Sequence, residues 1–236
     1  MTVWDIAQLI DHALLHPALT DEAILKGCAL AREYGVKAVC VKPCLVPLVK
    51  QALLRSPVLI CTVIGFPHGS SITSVKVREA VEAIHAGAQE IDMVVNVGKV
   101  LGGQYDYVKD ELRDVARACH RPGAVLKVIF ENDFLTDAHI IELCRICSDG
   151  EIDFIKTSTG FGFVKQGDGH YDYKGATEQQ VQLMRAQATQ RVQIKASGGI
   201  RTLDEVLKFQ SLGCTRIGTT ATAAILEEAK ARFSVA

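Results

Sequence analysis

Three lysines fall within short apolar segments that are predicted to be strands: Lys127 in 126–130, Lys156 in 152–160 and Lys195 in 192–199. Burial disfavours the charged form of a lysine and lowers its pKa from about 10.4 toward neutrality. An uncharged amine is a nucleophile that can form a Schiff base with a carbonyl group. Because like charges repel, we expect the three lysines to lower one another's pKa further. The alternative is that each is a solvated residue on an edge strand.

Short apolar segments alternate with segments of helical periodicity along the chain. The eight predicted strands are 8–14, 36–41, 58–64, 89–96, 125–130, the Lys156 segment, 192–199 and 214–218. Capping boxes at 177–180 and 202–205 predict two helix starts. The glycines between helices and strands are predicted to end helices in a left-handed conformation; they are Gly35, Gly87, Gly150 and Gly213.

Strand–helix alternation predicts a parallel sheet with right-handed crossovers. Nearly continuous apolar strands predict that both faces of the sheet are covered. Eight such units in 236 residues predict an α/β fold, a (β/α)8 TIM barrel, as a single domain over residues 1–236. An open doubly wound sheet is the alternative.

Composition excludes several classes of protein. A net charge of −1 and the absence of like-charge runs argue against nucleic acid or a membrane surface as a partner. No apolar segment approaches the roughly 20 residues of a membrane span. The first residues lack the features of a signal peptide, so we expect a cytoplasmic protein whose eight cysteines are reduced. The single CxxC, at 144–147, lies within a predicted helix and does not indicate a metal or redox site.

Polar residues concentrate at the predicted carboxyl ends of the strands, where β/α barrels place their reactive groups. They include Asp11, Asp92, Lys127, Lys156, Thr159 and Lys195. Alternatively, Asp92 and Lys195 belong to a structural ion-pair network, because such networks also perturb pKa values.

The loops after the last two barrel strands have the features of an anion site. Glycine lets the backbone approach an anion, and a helix N-terminus directs N–H groups toward it. The candidate residues are Gly198, Gly199, Gly218, Thr219 and Thr220. The long loop 161–175 suits a mobile cover over the site, although a surface insertion would look the same. No nucleotide-binding motif or histidine cluster with metal-ligand spacing is present, so we predict neither a cofactor nor a metal.

Several segments together resemble the deoxyribose-phosphate aldolase family, in the same order and from about residue 9 to 225. They are 10–15, 38–43, 90–96, 126–131, 154–160 and 195–201. The resemblance implies a class I aldolase that reversibly cleaves 2-deoxy-D-ribose 5-phosphate to acetaldehyde and D-glyceraldehyde 3-phosphate. It implies that Lys156 forms the Schiff base, that Asp92 and Lys195 move protons, and that the glycine turns hold the phosphate. Cys40 matches a position at the small-aldehyde end of the pocket.

The chain also departs from the family pattern. Ala13 stands where a hydroxyl is usual, Thr220-Ala221 replaces a pair of serines, and the segment 164–174 is longer than expected. Another Schiff-base aldolase, using dihydroxyacetone-type donors, and a catalytically inactive sugar-phosphate binder are the alternative functions. A homodimer is expected because symmetric dimers are the commonest soluble oligomers.

Overall fold

Eight parallel strands close into a barrel in the computed structural model, which describes residues 1–233. The barrel strands are β1 (Ile10–Leu14), β2 (Ala38–Val41), β3 (Leu59–Ile64), β4 (Glu90–Val94), β5 (Val125–Ile129), β6 (Phe154–Lys156), β9 (Gln193–Ser197) and β10 (Cys214–Thr219). Around the barrel the order is β1-β10-β9-β6-β5-β4-β3-β2. The predicted TIM barrel is therefore confirmed, and the open doubly wound sheet is excluded.

Helices follow the strands and cover the outside of the barrel. They are α1 (Val3–Ala7), α2 (Asp21–Tyr34), α3 (Val46–Ala52), α4 (Thr73–Ala86), α5 (Val97–Leu101), α6 (Tyr105–His120), α7 (Asp137–Asp149), α8 (Glu178–Gln187), α9 (Leu203–Ser211) and α10 (Thr222–Phe233). Short 3-10 turns occupy Pro43–Leu45 and Asn132–Phe134. Within residues 1–233, no helix combines the length and the apolar character needed to cross a membrane.

Three elements were not predicted from the sequence: α1, α5 and a hairpin in the long loop. The hairpin pairs β7 (Val164–Lys165) with β8 (Tyr171–Asp172) in antiparallel fashion. All three are too short for hydrophobic periodicity to identify. The loop predicted to cover the site therefore contains regular structure of its own.

Helix ends follow the predicted chemistry with two exceptions. The capping box of Thr202 forms as predicted. Thr177 accepts a bond from the backbone of Gln180, but the return bond from the Gln180 side chain is missing. The predicted left-handed conformation is wrong for Gly150, whose φ of −84° and ψ of −178° are extended. The other three helix-ending glycines do have positive φ.

Side-chain alternation along the strands creates two separate interiors. The larger hydrophobic core lies between the strands and the helices. Inside the barrel, a small apolar cluster on the β2 and β3 side includes Leu15, Cys40, Cys61 and Val63. The charged side chains Asp11, Asp92, Lys127 and others occupy the rest of that interior. Charged groups buried in a barrel require mutual pairing, because an unpaired buried charge is very costly.

Candidate active site

A cavity of about 460 Å³ lies at the carboxyl ends of the barrel strands. Ten of the predicted site residues line it: Asp11, Cys40, Lys156, Thr159, Lys195, Gly198, Gly199, Gly218, Thr219 and Thr220. The other two, Asp92 and Lys127, are fully buried beneath it. A larger, more open groove of about 1100 Å³ lies between α6 and α7 on the outer surface, and none of these residues lines it.

Lys156 is the last residue of β6, and its side chain is almost fully buried. Its Nζ atom lies 2.8 Å from Asp92 Oδ2. In the parallel pairing of β6 with β9, Lys156 and Lys195 are register partners, so their side chains enter the barrel at the same level. The alternative that these lysines are solvated on edge strands is therefore wrong.

Asp92 connects the buried lysines. Its Oδ2 accepts from Lys195 Nζ at 2.8 Å as well as from Lys156, and its Oδ1 accepts from Lys127 Nζ at 2.9 Å. Burial alone would raise the pKa of Asp92, but the three facing ammonium groups outweigh burial and hold this pKa well below its usual range. Asp92 is therefore a carboxylate that fixes the positions of the lysines around it.

Lys127 does lower the pKa of Lys195 as predicted, but the expected net lowering is wrong for both Lys127 and Lys195. Burial alone would lower both values. Asp92, however, faces both side chains, and Asp11 is hydrogen-bonded to Lys195, so the pKa of each lysine is raised above its ordinary value. Carboxylates between the cations thus outweigh both burial and mutual repulsion.

Glu90 and Arg216 complete the buried charge cluster, and sequence reasoning missed both. Lys127 Nζ lies 2.6 Å from Glu90, and Arg216 bonds to both Glu90 and Asp11. The cluster thus holds four cations and three carboxylates: Lys127, Lys156, Lys195 and Arg216 with Asp11, Glu90 and Asp92. Strand periodicity could have identified both, because residues two apart on a strand face the same side. Glu90 lies two residues before Asp92, and Arg216 lies two residues before Gly218.

Two groups of buried side chains have the spacing of metal ligands: Cys40, Cys61 and Asp92, and Asp11, Cys61 and Glu90. Each carboxylate in these groups already pairs with a lysine or with Arg216. A divalent cation would add positive charge where cations are already in excess. The donor set therefore does not fit a metal ion while the lysines and Arg216 are charged.

The glycine turn after β9 and the turn after β10 form the polar end of the cavity. Gly198 and Gly199 have φ values of 94° and 82°, which side-chain-bearing residues rarely adopt. Just before α9, the Glu205 carboxylate accepts from the backbone N–H groups of Arg201 and Thr202, so these two groups are not available to an anion.

Two of the predicted hydroxyl ligands have protein partners. Thr219 donates to the carbonyl oxygen of Ile200 at 2.7 Å. Thr159 donates its hydroxyl to Glu131 and accepts from the backbone of Phe161 at 2.9 Å. Glu131 is a buried residue with a φ of 60°, and burial raises its pKa. These contacts fix the turn that follows Lys156.

Comparison with known proteins places this geometry in a family. Residues 6–222 match the model of the DeoC/LacD family aldolases. The chain is 42% identical to a deoxyribose-phosphate aldolase of Treponema denticola over 94% of this chain and 98% of the relative. It is 44% identical to a deoxyribose-phosphate aldolase of Caldanaerobacter subterraneus over 97% of this chain and 95% of the relative.

A solved structure, the tetrameric deoxyribose phosphate aldolase of Aeropyrum pernix, superimposes with a TM-score of 0.87 at 29% identity. The superposition covers 98% of this chain and 93% of that one. Both the sequence and the fold therefore match along nearly the whole chain. The chain belongs to the DeoC/LacD aldolase family.

Proposed function

We propose that this protein is a class I aldolase that reversibly cleaves 2-deoxy-D-ribose 5-phosphate to acetaldehyde and D-glyceraldehyde 3-phosphate. The observation that supports this most is the Lys156 amine at the floor of the cavity, 2.8 Å from Asp92. The relatives named deoxyribose-phosphate aldolase support the same substrate.

The ion-pair contacts of the cluster set Lys156 apart from the other buried cations. Lys127, Lys195 and Arg216 each contact at least two carboxylates, whereas Lys156 contacts Asp92 alone among the described residues. Lys156 also lines the cavity, so it is the cavity-facing amine with the fewest carboxylate partners, which favours it as the nucleophile.

The uncharged amine attacks C1 of the open-chain sugar, and loss of water gives an iminium. Removal of the proton from the hydroxyl at C3 then breaks the C2–C3 bond, which releases D-glyceraldehyde 3-phosphate and moves the electron pair into an enamine. Protonation at C2 and hydrolysis release acetaldehyde and regenerate the amine. Asp92 contacts both Lys156 and Lys195, so these groups form the relay that moves the protons, and positioned acid–base groups of this kind accelerate reactions about a hundredfold to ten-thousandfold.

The phosphate group is assigned to the polar end of the cavity. The backbone of Gly198 and Gly199, the 218–220 turn and the start of α10 supply N–H donors there. Arg201 lines the same end and adds a positive charge that was not predicted from the sequence. Asp11, Cys40 and Lys127 are assigned supporting roles, since they hold or surround the reacting lysines.

Product analysis tests the proposal. Incubation with 2-deoxy-D-ribose 5-phosphate should release acetaldehyde and D-glyceraldehyde 3-phosphate in equal amounts. In the synthetic direction, acetaldehyde should serve as donor and dihydroxyacetone should not. Use of dihydroxyacetone instead would indicate a different aldolase, and binding of the phosphosugar without turnover would indicate a sugar-phosphate binder.

We also propose that the protein is a cytoplasmic homodimer. All eight cysteines have free thiols, which suits a reducing compartment. The Aeropyrum pernix relative is described as a tetramer. Light scattering of the purified protein distinguishes a dimer from a tetramer. A mass of twice 25.6 kDa is expected.

A further inference from the structure

A buried lysine–carboxylate pair lies outside the barrel, and the proposed mechanism does not use it. Lys76 of α4 and Glu111 of α6 are both fully buried where the two helices pack together. Lys76 Nζ lies 2.9 Å from Glu111 Oε2 and donates to the carbonyl oxygen of Val94 at 2.8 Å. The pair therefore ties two helices to the carboxyl end of β4.

This pair is costly for the fold. Glu111 Oε1 is buried and has no hydrogen-bond partner among the described residues. Burial outweighs the attraction between the two groups, so the pKa of Lys76 is lowered and the pKa of Glu111 is raised. The fold thus disfavours the charged form of each side chain. Because apolar side chains of similar volume often stabilise such positions at least as well, net stabilisation does not account for the pair.

The main chain that the pair contacts belongs to the strand of Asp92. Val94 is the last residue of β4 and follows Asp92 by two residues. The Asp92 carboxylate lies 2.8 Å from both Lys156 and Lys195 inside the barrel. Lys76 reaches the Val94 carbonyl from α4, outside the barrel. The hydrogen bond from Lys76 therefore fixes the strand end next to the reacting groups.

The same face of α4 also holds the end of the neighbouring strand. Gly65 follows β3 with a φ of 58°, and a Cβ atom at this position would lie 2.8 Å from Lys76 Cε. Glu79, three residues after Lys76, accepts from the Gly65 N–H at 2.8 Å. Since β3 and β4 are neighbours in the barrel, α4 fixes both strand ends together.

We propose that Lys76 and Glu111 are positioning residues for the aldolase reaction, because they hold the end of the strand that carries Asp92. This inference rests on the proposed function. The Asp92 carboxylate must contact two amines at once, and a displacement of about 1 Å can lower a rate about a hundredfold. The phosphate is assigned to the turns after β9 and β10, so loss of the pair should affect kcat rather than KM.

A double variant of the full-length protein separates positioning from stability. Lys76→Met/Glu111→Leu removes both charges and the bond to Val94 but nearly keeps the side-chain volumes, so its midpoint of urea unfolding should equal or exceed that of wild type. Its kcat for cleavage of 2-deoxy-D-ribose 5-phosphate should nevertheless fall about tenfold or more, while KM changes less than about twofold. Lys76→Met alone, in which the buried Glu111 takes up a proton, should show the same loss of kcat.

Exchange of the methyl protons of acetaldehyde in deuterium oxide measures the proton relay without a phosphate group or an acceptor. The exchange rate should fall in the double variant by about the same factor as kcat. Arg78→Gln/Glu82→Gln is the matched control, since it removes an ion pair from the exposed face of the same helix. This control should leave kcat and the exchange rate unchanged.

Several results would overturn the inference while the aldolase function stands. They are a wild-type kcat in a double variant that folds, a rise in KM with unchanged kcat, and an equal loss in Arg78→Gln/Glu82→Gln. Failure of both Lys76 variants to fold would show that the pair acts through stability, which also overturns it. If the wild-type protein neither cleaves the phosphosugar nor exchanges the protons of acetaldehyde, the inference and the proposed function are wrong together.

Discussion

Replacing Asp92 with asparagine removes the negative charge that three buried lysines share. The carboxylate lies 2.8 Å from Lys156 and Lys195 and 2.9 Å from Lys127, and its side chain has no exposure to solvent. After the change, Asp11 and Glu90 would be the only two carboxylates left in the cluster. Removal of one partner from a buried ion pair costs about 3–5 kcal/mol, so we expect the free energy of unfolding at pH 7 to fall by about that amount.

The same substitution has a predictable pH dependence. The pKa of Asp92 in the folded protein is held well below its usual range, although burial opposes this, because the three ammonium groups favour the carboxylate. Its charge therefore stabilises the fold above the unfolded-state pKa of about 3.9, and this stabilisation is lost as pH falls through the lower folded-state pKa. The difference in the free energy of unfolding between wild type and Asp92→Asn should have its full size at pH 7 and should become smaller below about pH 4.

Urea unfolding followed by circular dichroism, at a series of pH values, measures both effects. Asp110→Asn is the matched control, since Asp110 pairs with Arg113 on the exposed face of α6 and its loss should change stability by less than about 0.5 kcal/mol. If Asp92→Asn stays within about 1 kcal/mol of wild type at pH 7, the buried cluster is not held by this carboxylate. A difference that does not change with pH would contradict the assigned charge.

Three further predictions concern other residues. Lys195→Met should lower kcat for cleavage by about a hundredfold or more while the fold is retained, and a loss under tenfold would argue against proton transfer by this residue. Arg201→Ala should raise KM for 2-deoxy-D-ribose 5-phosphate by about tenfold but leave KM for unphosphorylated 2-deoxy-D-ribose unchanged, and equal effects on both substrates would contradict a phosphate contact. Burial lowers the pKa of His12 from 6.5 to about 4, so wild-type stability should fall by about 3 kcal/mol as pH drops between these values. In the same urea titrations, His12→Asn should abolish this pH-dependent loss of stability. An unchanged dependence of the free energy of unfolding on pH would exclude His12 as its source.

The barrel and the main site residues could be predicted from the sequence because their signals are local. Each barrel strand is a short apolar segment beside a helix-ending or helix-starting residue, and Lys156 and Lys195 stand out as charges within such segments. The carboxyl ends of parallel strands meet at one face of a barrel, which brings these residues together without any further information.

The charge balance of the site could not be predicted in the same way. Whether a buried lysine has a raised or a lowered pKa depends on which carboxylates lie within a few ångströms of it across the barrel. Asp11 meets Lys195 from a position 184 residues away, and Arg216 meets Glu90 over 126 residues. The hairpin was also missed, since two-residue strands give no periodic signal and the rings of Phe163 and Tyr173 meet only after the loop folds back.

Borohydride reduction in the presence of acetaldehyde, followed by peptide mass spectrometry, tests most directly whether Lys156 is the nucleophile. Reduction of the imine should leave a stable ethyl group on Lys156, and Lys156→Leu should abolish the modification while Lys165, on the exposed hairpin, stays unmodified in both proteins. Ethylation of Lys195 or Lys127 instead, or continued trapping by Lys156→Leu, would contradict the assignment of the Schiff base to Lys156.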